Sequence, residues 1–160
     1  MLNIFVSVQF SENAQYLALL AAEIAHLNKA RLILFHAYQD DEAITSQLEE
    51  EQYNERWVQT QLDKLARKLH KATNVSITRL VKPGTSATEI IAVAKLIKAD
   101  VVILQDEAAK GISGTTLTYH EALPIISAFT GADKPSLRTS LQDQFKMLGF
   151  TSPTALLQAV

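Results

Sequence analysis

The stretch LQDEAAKGISGTT, from Leu104 to Thr116, holds two of the chain's five glycines, Gly111 and Gly114. Gly111, Ser113, Gly114, Thr115 and Thr116 could together offer a phosphate backbone amides and hydroxyls. Glycine lets the backbone approach an oxyanion closely and adopt φ > 0, and a following helix would add its positive end. The Gly-x-x-Gly pair alone is a weak signal, and it lacks the Lys-Ser/Thr of a P-loop ATPase. Five further residues belong to the same candidate cleft if the strands beneath it run parallel: Gln9, Phe10, His36, Gly84 and Gln105. Other chemistry is poorly supported. Ser11-Glu12 has no Gly-x-Ser-x-Gly elbow and reads as a helix cap. His120 and Glu121 lack metal-ligand spacing, so no metal is expected. No base, nucleophile and orienting group converge by sequence, and the chain is not expected to be an enzyme.

These residues must be positioned by one modest domain. The 160 residues are 48% apolar and 20% charged, with a net charge of −2, ordinary for a soluble globular chain. No basic balance points to nucleic acid. There are no cysteines, which excludes disulfides and thiolate metal sites. No apolar run approaches the roughly 20 residues of a membrane helix, and no signal-peptide pattern is present. A cytoplasmic location is expected.

Residues 2–8, LNIFVSV, and 31–37, RLILFHA, are continuous apolar runs of the kind buried on both sheet faces. Between them Leu17, Leu20, Ala21, Ile24 and Leu27 repeat at helical spacing. The acidic run from Asp40 to Glu51 reads as a solvated face, and Trp57, Leu62, Leu65 and Leu69 mark a second helix. VSITRLV, 75–81, alternates as a strand. Ser86-Ala-Thr-Glu89 is a capping box, followed by a helix carrying Ile90, Ile91, Val93, Ala94 and Ile97 and by an apolar strand at 100–104. The order β-α-β-α-β-α-β predicts a parallel sheet with helices on both faces. Its ligand cleft should lie beyond the carboxyl ends of the strands, where strand order reverses. Residues 123–129 predict a final strand. Helices are expected from Ser136 to Leu148 and from Ser152 to Val160.

FSENAQYLALLAAEIAHLNKARLILFHAY and PGTSATEIIAVAKLIKADVVIL resemble, in order and spacing, the opening strand-helix-strand and the third helix and fourth strand of the universal stress protein family. The resemblance implies a three-layer α/β sandwich of the adenine nucleotide alpha hydrolase-like kind, with a mostly parallel five-stranded sheet of order 3-2-1-4-5. It implies a domain over residues 1–130; beyond it the resemblance is silent, and the apolar spacing of the remaining residues predicts a helical extension over 131–160 packed on the same domain. It also implies a homodimer through the last strand. Some members bind ATP through a loop with Gly, two residues, Gly, nine residues, then Gly and Ser or Thr. Gln105 and Ala108 stand at the two loop glycines, Thr118-Tyr119 at the Gly-Ser pair, and Gln9 at the first-strand acid. Leu104 to Pro124 is also shorter than the family's loop, helix and strand start. The expectation is a dimeric binding or interaction module in stress response with no tightly held cofactor. The alternative is an ATP- or AMP-binding switch that uses the residual loop. The tail, with Leu137, Leu141, Phe145 and Leu148 on one helical face, is expected to pack where the family's fourth helix is missing and to close the cleft.

Overall fold

The computed structural model describes residues 1–38, 55–83, 87–106 and 114–152. Gly84, Ser86, Ala108, Gly111, Ser113, the acidic run and the predicted helix at 152–160 lie wholly or almost wholly outside the described residues.

Ile4, Phe5 and Val6 are all fully buried. Successive residues of a strand face opposite ways, so β1 (Asn3–Ser7) must be covered on both sides. It pairs in parallel with β2 (Arg31–Tyr38) and with β4 (Val101–Asp106). β3 (Ile77–Pro83) adds in parallel to β2, and β6 (Leu123–Phe129) in parallel to β4. The expected α/β architecture is present, with one strand more than expected. β5 (Thr115–His120) runs antiparallel to β6 and closes the sheet in the order β3-β2-β1-β4-β6-β5. Among the described residues, no helix is long and apolar enough to cross a membrane.

One sheet face carries Ile4, Val6, Leu32, Leu34, Ile103 and Ile126 beneath α1 (Glu12–Leu27), α2 (Glu55–Thr73) and α4 (Lys134–Met147). The other carries Phe5, Ile33, Phe35, Val102 and Ile125, and α3 (Ala87–Leu96) packs there through Ala94, Ile90 and Val93. α1 begins where expected: Ser11 Oγ accepts from the Ala14 amide at 3.2 Å. α4 starts two residues earlier than predicted because Asp133, not a residue inside the helix, caps it, accepting from the Ser136 amide at 3.1 Å and its hydroxyl at 2.7 Å. Pro135 then sits in the first turn, where its missing amide costs nothing.

Two expectations need correction. Thr115 and Thr116, read as the end of the loop, belong instead to the strand β5, joined to β6 by a turn in which Glu121 (φ 50°) and Ala122 (φ 69°) are both left-handed. This strand, not 123–129, is the sheet's edge; both sides of β6 are already paired. The tail helix is also on the other face. A right-handed crossover from β4 to β6 would put the family's fourth helix beside α3, whereas α4 lies in the layer of α1, over β5 and β6. There Leu137, Leu141 and Phe145 are fully buried, and Phe145 meets Phe150 edge-on at 5.1 Å.

Candidate functional site

Strand order reverses between β1 and β4, so the crevice beyond their carboxyl ends is where a ligand of such a sheet would sit. Gln9 and Gln105 meet there. Gln105 stands on β4 opposite Ala128 of β6, and its side chain crosses toward β1. Its Oε1 accepts from the Gln9 amide at 2.5 Å, and its Nε2 donates to the Ala14 carbonyl in the first turn of α1 at 2.9 Å. A glycine at this position would leave the Gln9 amide, just past β1, and the Ala14 carbonyl without these side-chain bonds. The glutamine ties them together instead.

Two more amide side chains lace the same end of the sheet. Asn13 Nδ2 donates to the carbonyls of Thr130 at 2.7 Å and Ala132 at 3.1 Å, fastening the exit of β6 to α1. Gln15 Nε2 donates to the Phe10 carbonyl at 3.1 Å. Beside them Phe10 leans on the His36 ring, with centroids 4.7 Å apart, and Trp57 of α2 meets Phe10 edge-on at 5.7 Å. His36 ends the buried part of β2. Its Nδ1 lies 2.6 Å from the Val8 carbonyl. A carbonyl only accepts, so Nδ1 carries the hydrogen. Burial holds this imidazole below its ordinary pKa, with the Val8 bond opposing.

Gly114 and Thr115 do not face this crevice as free donors. Thr115 gives its amide to Ser140 Oγ of α4 at 2.8 Å, and its hydroxyl lies 2.6 Å from the same oxygen. Gly114 (φ 144°) packs so closely that a Cβ there would lie 2.7 Å from Ser140 Oγ. The structure therefore gathers Gln9, Phe10, His36 and Gln105 at one sheet end. It assigns Gly114 and Thr115 to a contact with α4, while Gly84, Gly111 and Ser113 lie outside the described residues. Asn13, Gln15 and Ser140 were not legible as members of these networks. Each partner is set by the fold, and no local spacing announces it. No group of three His, Cys, Asp or Glu among the described residues could hold a metal.

A parallel 3-2-1-4 core with its reversal point between β1 and β4 defines the class, and the sequence comparison names it. Residues 1–118 match the universal stress protein family, and the chain belongs to that family. Solved structures with the same fold include a universal stress protein in complex with cAMP, at 17% identity and TM-score 0.55, covering 70% of this chain and 78% of that one. A universal stress protein family member from Burkholderia pseudomallei is 21% identical with TM-score 0.51, covering 64% and 79% of the two chains. An Arabidopsis thaliana family protein with AMP bound is 13% identical with TM-score 0.51, covering 71% and 82%. No curated protein matches the sequence.

Proposed function

We propose that this chain is a non-catalytic, cytoplasmic universal stress protein module that works through macromolecular contacts and holds no tightly bound ATP. The observation that carries this reading is the Gln105 side chain, which engages the Gln9 amide and the Ala14 carbonyl across the strand-order reversal. A nucleotide phosphate would have to displace both bonds and re-solvate or re-pair the groups they satisfy. The lacing by Asn13 and Gln15 supports it further.

A second reading is a nucleotide-binding switch, favoured by the relatives described with cAMP and AMP. Titration calorimetry and thermal melting with ATP, AMP and cAMP separate the two. A ligand present at 100 times its Kd adds about 2.7 kcal/mol of stability. The closed-crevice reading expects no such gain from any of the three. Low-micromolar affinity for one of them would establish the switch instead.

A further inference from the structure

Between α1 and α2 the helical layer does not close. Tyr16 and Leu19 of α1 are only partly buried against the core, and with Leu65, Leu69 and Ala72 of α2 they line a groove of about 390 Å³. That volume lies within the range of small-molecule sites, and so does the make-up of the groove, apolar walls with a few polar groups. Ala72 stands in the last turn of α2, where its small side chain leaves space that a larger one would fill. Apart from Gln15, the groove shares no residue with the strand-end crevice.

Three charged side chains border the groove: Glu12, Lys68 and Lys134. Two of them cancel. Lys134 Nζ lies 2.8 Å from Glu12 Oε1 and 5.5 Å from the centre of the Tyr16 ring, so this lysine is already engaged. Lys68 has no ion-pair partner among the described residues. It also stands between Lys64 and Lys71 on the same flank of α2, at spacings of four and three, where like charges repel. An anion at Lys68 would relieve that repulsion.

We propose that this groove binds a small molecule carrying one carboxylate on an aliphatic chain, with the chain along Leu19, Leu65 and Leu69 and the carboxylate at the Lys68 ammonium. One negative charge matches the single uncompensated lysine. A polyanion fits poorly, because Glu12 would repel it and the apolar walls offer its other oxygens no donors. The Lys68 stem can lie along the groove while its head stays in water, so the carboxylate keeps part of its hydration when bound. The site goes beyond the module reading above and does not depend on whether the crevice takes a nucleotide.

The test is titration calorimetry of the full chain with sodium hexanoate, octanoate and decanoate, each below its micelle concentration, and with decylammonium as the charge-reversed probe. Decanoate should saturate at one per chain, and affinity should rise by about fourfold for each methylene buried in the groove. Lys68→Glu should weaken decanoate by about fivefold. Ala72→Trp fills the groove from an exposed position and should remove binding. Both variants should keep the helical circular dichroism signal. The proposal is overturned if decanoate does not saturate, if its binding survives Ala72→Trp, or if decylammonium binds equally well. The last result would mark a surface that takes any apolar chain, a partner protein's side chains included.

Discussion

Ser140 Oγ lies 2.8 Å from the amide of Thr115 and 2.6 Å from its hydroxyl, so one side chain of α4 holds the first residue of the edge strand. Ser140→Ala should cost about 1–2 kcal/mol, since it strands a partly buried amide. Gly114→Ala should cost more, because the new methyl would meet both Ser140 Oγ and Cβ within 2.8 Å at a φ of 144° that L residues rarely adopt. Urea denaturation of the two variants tests the order; equal midpoints for Ser140→Ala and the unaltered chain would show the contact to be idle.

The β5–β6 turn places two non-glycine residues at positive φ. Ala122 has no polar side chain with which to offset the cost of that conformation, whereas Glu121 is held by Lys95 of α3 at 2.5 Å. Ala122→Gly should therefore stabilise the fold, by about 1 kcal/mol, and raise Tm by about 2–4 °C. A lower Tm would mean that the alanine methyl makes a contact worth more than the strain.

Phe145 is fully buried between Leu141 and Phe150. Phe145→Ala should destabilise the protein by about 3–5 kcal/mol, measured by the same denaturation. A loss below about 1 kcal/mol would show that α4 contributes little to the common core.

His36 gives a pH dependence of definite sign. Its folded-state pKa is depressed, chiefly by burial, from 6.5, so the unfolded chain binds its proton first as pH falls. Stability from this group is complete above pH 6.5 and declines below it, until the folded pKa is passed;. Glu12 and Asp133 are lowered by Lys134 and by Ser136 respectively; what they contribute is present above the ordinary carboxylate range and is lost in more acidic solution. His36→Gln should flatten the Tm profile between about pH 8 and about pH 5 and leave the acid limb unchanged. An unaltered slope in the upper range would assign it to another group.

Most of the sheet was legible because its strands are continuous apolar runs: LNIFVSV, RLILFHA and the stretch ending at Leu104 could only be buried centre strands. β5 was hidden for two reasons. Its turn is Glu121-Ala122, not the Asn-Gly or Asp-Gly that announces a hairpin, and its second face is polar with Thr116, Thr118 and His120. Spacing revealed the buried stripe of α4 through Leu137, Leu141 and Phe145, but not the sheet face it would choose. That depends on which positions remain open once α1, α2 and α3 are placed. At the crevice, Gln9 and Gln105 could be assigned to one neighbourhood from topology. That the side chain of one bonds the backbone of the other across 96 positions is a property of the assembled fold.

The helix α4 shares a core layer with β1, and this orders events during synthesis. A nascent chain can make β1, α1 and β2 early, yet the apolar residues Ile126 and Ala128 of β6 stay unroofed until Leu137, Leu141 and Phe145 have left the ribosome. Closure of this layer joins segments far apart in sequence, the kind of contact that slows folding and leaves apolar surface open to aggregation meanwhile. A chain cut short before Lys134 would keep that surface exposed for its whole lifetime, which makes it a substrate for chaperones and proteases.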